Sequence, residues 1–100
     1  MVTPADLDGV FRALADPTRR AMLKSLASRP RNISELAAPF DMTFTAASKH
    51  VRVLANAGLV RRKIKGRAHE CKIRPMQLKE AYKWLQSFKE KWDEIDRRFD

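Results

Sequence analysis

Apolar and polar positions follow a helical period over most of the chain and switch to a strand period in one short stretch. Leu7, Val10, Phe11 and Leu14 recur at steps of three and four, which predicts a first helix over residues 5–15 with one buried face. Asp16-Pro17 reads as an N-cap followed by proline at the first helical position, where its missing N–H costs nothing. The second helix then runs to about Ser28, burying Met22, Leu23 and Leu26, until Arg29-Pro30-Arg31 breaks it. Ser34 is placed to cap a short third helix from Glu35 to about Phe40, with Leu36 and Ala37 inward and Pro39 shortening or distorting it. Asp41-Met42 can turn without glycine if Asp41 takes the left-handed conformation. Thr43 then caps a fourth helix, and Gly58 ends it.

Beyond Gly58 the period becomes two. Val60, Arg62 and Ile64 alternate with Arg61, Lys63 and Lys65; after a turn at Gly66-Arg67, His69, Cys71 and Ile73 alternate with Ala68, Glu70 and Lys72. This predicts a two-stranded hairpin. From Pro75 to Phe99 the helical period returns, as one helix about 37 Å long at roughly 1.5 Å per residue. Leu78, Leu85, Trp92 and Phe99 recur every seven residues, Ala81, Phe88 and Ile95 follow the first three by three positions, and Tyr82 and Trp84 flank the seam. Four short helices cannot cover so long an aromatic stripe, so the excess is expected to face another subunit; the alternative is that it only closes the monomer's own core. The fold class expected is mostly α, a winged helix-turn-helix of about five helices plus a two-stranded β-hairpin wing. Two helices joined by a tight turn supply the helix-turn-helix.

Composition narrows the picture. One hundred residues, 44% of them hydrophobic, suffice for one modest core, so a single domain is expected over residues 1–100. The 21 basic side chains exceed the 12 acidic ones by nine, and the excess is localised. Residues 49–74 hold nine basic side chains against one acidic, Glu70, whereas the segments on either side are nearly balanced. A concentrated patch of this kind points to a polyanion, of which a nucleic acid duplex is the commonest. The lone Cys71 cannot form an internal disulfide, which suits a reducing cytoplasm. Acids stand at the N-terminus where a secretory signal has bases, and no apolar run approaches membrane-spanning length, so a cytoplasmic protein without a membrane partner is expected.

The patch begins on the fourth helix. Thr45, Ser48, Lys49, Arg52 and Asn56 form one polar stripe, and Ala47, Val51 and Leu54 form an apolar one on another side. Such a helix can rest on a core while presenting hydroxyls and cations to a DNA groove; taken by itself, it could equally be an ordinary amphipathic surface helix. The hairpin tip, Lys63, Lys65 and Arg67 around Gly66, would then reach for phosphates or the minor groove. Lysines that discourage edge pairing are the alternative explanation of that tip, and the contiguity of its charge with the preceding helix favours the wing. His50 borders the two stripes, able to bond a phosphate or a buried partner. Neither His50 nor His69 has a nucleophile or carboxylate at catalytic spacing, and three glycines make no phosphate-cradling loop, so an enzyme is not expected.

Phe11-Arg12-Ala13-Leu14-Ala15-Asp16-Pro17-Thr18-Arg19-Arg20, with Ala47-Ser48-Lys49-His50-Val51-Arg52-Val53-Leu54 and Ala57-Gly58-Leu59-Val60, resemble the ArsR family of bacterial winged-helix repressors over nearly the whole chain. The resemblance implies a homodimeric repressor on an imperfect promoter palindrome, with the first and last helices at the interface. Leu7 and Phe11 would meet the partner there, together with Leu78, Tyr82, Leu85, Phe88, Trp92, Ile95 and Phe99. It further implies that Thr43, Thr45, Ser48, Lys49, His50 and Arg52 face double-stranded DNA, with Arg67 and its neighbours Lys63 and Lys65 on the wing. Phe44 departs from the polar residue many members carry, although an aromatic there can touch a thymine methyl. The thiols of the family's arsenic- and cadmium-type site would fall near Asn32, Ser34 and Ala37, and its zinc-type site needs histidines in the last helix, where residues 75–100 have none. His69 and Cys71 make only two ligands per chain. No metal and no cofactor is therefore expected, and the residues leave the effector undefined. A sequence-indifferent architectural DNA-binding protein and a winged-helix protein-interaction module are the other two classes the residues allow.

Overall fold

Side-chain caps place the starts of four helices in the computed structural model, which describes residues 3–99. The single domain expected over residues 1–100 also takes in Met1, Val2 and Asp100, which lie outside the described residues. Thr3 starts α1 (Pro4–Leu14) through a reciprocal box with Asp6. Asp16 accepts from the Arg19 N–H at 2.9 Å and starts α2 (Pro17–Leu26), with Pro17 in the first turn. Asn32, and not Ser34, caps α3 (Ile33–Ala37). Its carboxamide oxygen accepts from the Glu35 N–H at 2.8 Å, and the Glu35 carboxylate accepts from the Asn32 N–H at 3.1 Å. This box satisfies two otherwise orphaned N–H groups, which Ser34, two residues later and already inside the helix, could not do. Pro39 tightens the end of α3 into a 3-10 turn over Ala38–Phe40, and Asp41 follows at φ 50° in the left-handed region. Thr43 caps α4 (Phe44–Asn56), accepting from the Ala46 N–H at 3.1 Å.

The end of α4 is a Schellman turn. Leu59 N–H donates to the Leu54 carbonyl and Gly58 N–H to the Ala55 carbonyl, each at 3.0 Å, with Gly58 at φ 76°. A side chain at Gly58 would also meet the Gln77 carboxamide at 2.9 Å. The chain then enters β2 (Val60–Lys65), turns at Gly66-Arg67 and returns as β3 (Ala68–Ile73), the predicted hairpin. A third strand was not expected. Arg31 and Asn32, β1, pair antiparallel with Cys71 and Glu70, so the sheet order is β1-β3-β2. Two residues are too few to show alternation, and the breaker beside them dominates the pattern.

The long last helix is also corrected. The chain forms α5 (Met76–Gln86), a 3-10 turn over Lys89–Lys91 and α6 (Trp92–Phe99). At the break the Ser87 hydroxyl donates to the Trp84 carbonyl at 2.5 Å, and the N–H groups of Phe88 and Lys91 bond three residues back, to Leu85 and Phe88. A serine that takes a carbonyl of the preceding turn weakens the α-helical ladder, and the tighter bonding follows. The core lies where α1, α2, α3, α4 and the sheet meet: Val10, Met22, Leu26, Ile33, Leu36, Val51, Leu54, Leu59 and Cys71 are essentially without exposure, and no polar side chain is buried with them among the described residues. No described helix is long and apolar enough to cross a membrane.

Candidate nucleic-acid interface

The core fixes one side of α4 and thereby exposes the other. Ala47, Val51 and Leu54 are fully buried; Thr45, Lys49, Arg52 and Asn56 are exposed and Ser48 is half-buried. Among the described residues no intramolecular hydrogen bond or ion pair engages the side chains of Thr45, Ser48, Lys49, Arg52 or Asn56. Thr43 differs, because its hydroxyl oxygen already caps the helix; the O–H remains as a donor.

His50 faces inward. Its Nδ1 lies 3.9 Å from the Asp16 carboxylate and 3.5 Å from the Arg19 guanidinium. Arg19 also donates from Nε to the Ala13 carbonyl at 2.6 Å and from Nη2 to the Arg12 carbonyl at 3.2 Å, while Arg20 donates to the Leu14 carbonyl at 2.7 Å. The Asp-Pro-Thr-Arg-Arg run thus caps the start of α2 with its acid and the end of α1 with its arginines. His50 ties α4 to that junction.

The Arg19 N–H, opposed by partial burial and aided by the Arg19 and His50 charges, holds the Asp16 carboxyl below its ordinary 3.8. A lowered carboxyl stabilises fully above the unfolded-state value and loses that contribution as pH falls through the folded-state value. Asp16→Ala is expected to cost about 1 kcal/mol near neutrality. Urea unfolding should show the gap to wild type shrinking as pH falls below the ordinary carboxyl value of 3.8; a gap independent of pH would mean that the charge of Asp16 contributes nothing.

The wing carries the second set of cations. Lys63, Lys65 and Arg67 are exposed around Gly66, whose φ of 60° lets the strands reverse in two residues. Lys65 lies 3.3 Å from Glu70, an exposed pair of small energetic weight. Behind this face, Arg62 donates from Nε and Nη2 to His69 Nδ1 at 3.1 and 2.9 Å, and the His69 ring meets the Phe44 ring edge-on at a centroid distance of 5.9 Å. Arg62, His69 and Phe44 therefore connect the wing to the first turn of α4, a link the alternation pattern does not reveal. Phe44, nearly half exposed, still presents part of its ring outward.

Cys71 is fully buried, burial pushes its thiol pKa up, and its sulfur donates to the His69 carbonyl at 3.8 Å. Nδ1 of His69 is taken by Arg62, and among the described residues no three His, Cys, Asp or Glu side chains converge as metal ligands would.

On the side formed by α1, α5 and α6, Leu7 and Leu78 pack on the core and Ile95 is half-buried. Phe11, Tyr82, Leu85, Phe88, Trp92 and Phe99 are exposed. Trp84 holds Phe11 and Phe88 in edge contacts at 5.8 and 5.1 Å, so the part of this apolar side between α1 and the end of α5 is packed within one chain.

A family model described as a helix-turn-helix domain matches residues 14–63. The chain is 41% identical to a crystallised ArsR family transcriptional regulator, with a TM-score of 0.83 over 91% of this chain and 94% of that one. It is 42% identical over 60 residues to the HTH-type transcriptional regulator Rv2034 of Mycobacterium tuberculosis, a match that spans 60% of this chain and 56% of that protein's length. The transcriptional repressor SdpR of Bacillus subtilis is 26% identical over 87 residues, 87% of this chain and 97% of that protein.

Proposed function

Because the chain belongs to the ArsR family of winged-helix transcriptional regulators, we propose that it acts in the cytoplasm as a homodimeric repressor that occupies a promoter palindrome. It is a regulator with a helix-turn-helix DNA-binding fold and not an enzyme. The observation that carries the proposal is the exposure of Lys49 and Arg52 on the polar side of α4 and of Lys63, Lys65 and Arg67 at the wing tip, within the segment where nine bases face one acid. Each subunit sets α4 in a major groove, so that Thr45, Ser48, Lys49 and Arg52 reach base edges and nearby phosphates, with Thr43 at the first turn. Lys63, Lys65 and Arg67 hold the adjacent backbone. His50 contributes by fixing the tilt of α4 through Asp16 and Arg19, with its remaining ring edge available to a phosphate. The exposed aromatic face of α1, α5 and α6 joins two copies and sets half-sites about one helical turn, roughly 34 Å, apart. Occupancy then blocks transcription.

Fluorescence anisotropy on the DNA upstream of the protein's own gene and on a scrambled duplex tests this reading. Binding about a hundredfold tighter to the upstream fragment is expected. Equal affinity for both would favour an architectural role, and binding to neither would favour a protein-interaction module.

The roles are separable. If about eight phosphates are neutralised, log K should fall with log salt at a slope near −7, and Lys65→Ala should weaken all DNA alike and flatten the slope by about one unit. Ser48→Ala should instead reduce the discrimination between operator and scrambled DNA. Equal losses on both duplexes for both variants would sink this division.

A further inference from the structure

A second cationic site lies at the base of the wing, beside the proposed DNA surface and on the opposite face of α5 from the aromatic one. A cleft of about 570 Å³ opens between the base of the hairpin and the first half of α5. Arg61, Lys72, Arg74, Lys79 and Lys83 line it, against the single carboxylate of Glu80. Glu80 is 3.3 Å from Lys83, and among the described residues no ion pair engages the other four cations.

Arg61 and Lys72 are direct cross-strand partners, an arrangement that like charges destabilise unless an anion sits between them. Part of the lining is apolar: Ile73, Pro75 and Met76 belong to it, and Met76 is 62% exposed and outside the hydrophobic core. On α5, Met76, Lys79, Glu80 and Lys83 share one face, whereas Leu78, Ala81 and Leu85 lie on the face turned to α1 and the proposed partner. Along the hairpin, Arg61 and Lys72 stand at the base, four residues from the Lys65–Ala68 pair at the tip. The cleft is thus on a different face of α5 from the aromatic one, and it adjoins the wing cations: Arg61 and Lys72 also line a pocket with Lys63, Lys65 and Glu70.

We propose that this cleft binds an organic phosphate, a dianionic head with an apolar or aromatic body. Five cations against one acid suit a dianion better than a monocarboxylate, the apolar part of the lining suits a body that a bare ion lacks, and the volume falls within the roughly 300–1,000 Å³ of small-molecule sites. Duplex DNA makes a poorer occupant, because its backbone has no apolar part for Met76 and Pro75. On the repressor reading above, the occupant touches both the base of the wing and the helix of the dimer face, the position an effector needs.

Titration of 1-naphthyl phosphate into the isotope-labelled full chain, followed by amide NMR at constant ionic strength, is the test. Saturable shifts are expected at Lys72, Ile73, Met76 and Lys79, with inorganic phosphate and 1-naphthol each binding at least about tenfold more weakly. Lys72→Ala with Lys79→Ala should weaken 1-naphthyl phosphate by about tenfold or more. Lys72→Ala alone, without ligand, should melt at or above the wild-type temperature, because it relieves the Arg61–Lys72 pair. Shifts centred on Trp84 and Trp92, inorganic phosphate binding as tightly as the aryl ester, or an unchanged affinity in a folded double variant would each overturn the proposal. No DNA enters this experiment, so its failure is distinguishable from a failure of the repressor reading.

Discussion

Glutamates in place of Leu85 and Trp92 are expected to turn the proposed dimer into monomers and to lower operator affinity by about a hundredfold or more. Both side chains are about half exposed in one chain, at 49% and 54%, and Tyr82 and Phe99 beside them are 62% and 80% exposed. Removing Leu85 and Trp92 therefore opens no cavity in the monomer, and its far-ultraviolet circular dichroism should stay that of wild type. A two-fold interface repeats every substitution, so two glutamates per chain put four like charges into one apolar contact. Each monomer would then hold a single half-site, without the effective concentration that a tethered second half supplies. Sedimentation velocity reads the association state and anisotropy reads the affinity. A variant that still sediments as a dimer would place the interface elsewhere; a monomer with undiminished operator affinity would remove the palindrome from the proposal.

The seven-residue repeat made the apolar positions of the proposed face legible: Leu85, Trp92 and Phe99 are exposed on both sides of the break. The break itself was not legible. It depends on which carbonyl the Ser87 hydroxyl takes, and serine is common enough in helices that its presence alone decides nothing. A similar competition hid the start of α3: Asn32 and Glu35 carry the spacing of a capping box, but Ser34 is an equally good cap by residue type, and only the pairing of β1 with β3 holds Asn32 extended at φ −84° and ψ 169°. Asp41, Thr43 and Gly58 were readable because each is nearly the sole local solution to a turn or a helix end. The same division runs through the candidate interface. Charge concentration and the two stripes of α4 are properties of adjacent residues and show in the chain. The Arg62–His69–Phe44 link and the grip of Arg19 on the carbonyls of α1 join residues far apart in sequence, and periodicity carries no information about them. His50 shows the limit most directly: its place on the stripe boundary suited a phosphate, and tertiary packing turns its Nδ1 toward Asp16.

Leu54→Ala should be the most damaging single change to stability, at about 2–5 kcal/mol. Leu54 is fully buried on the inner face of α4, and its carbonyl accepts the Leu59 N–H that closes the Schellman turn. Leu59 is itself fully buried, the apolar pairing that accompanies this turn and sets the direction in which the chain leaves α4 for β2. Truncation at Leu54 thus leaves a void at the point where recognition helix and wing are joined. For a domain of this size the loss corresponds to a fall in melting temperature of roughly 10–30 °C, out of a total stability on the order of 5–15 kcal/mol. Leu54→Met keeps the volume and should cost less than about 1.5 kcal/mol. Both are to be compared with wild type at equal protomer concentration, because association stabilises the folded chain by mass action. If Leu54→Ala melted within a few degrees of wild type, α4 would not be anchored through this residue. The rigid placement of its polar face, on which the proposed sequence reading depends, would then need another cause. If the fold weakens as expected while the shifted methionine variant keeps its operator discrimination, the packing of Leu54 acts by holding α4 in place and not by touching DNA.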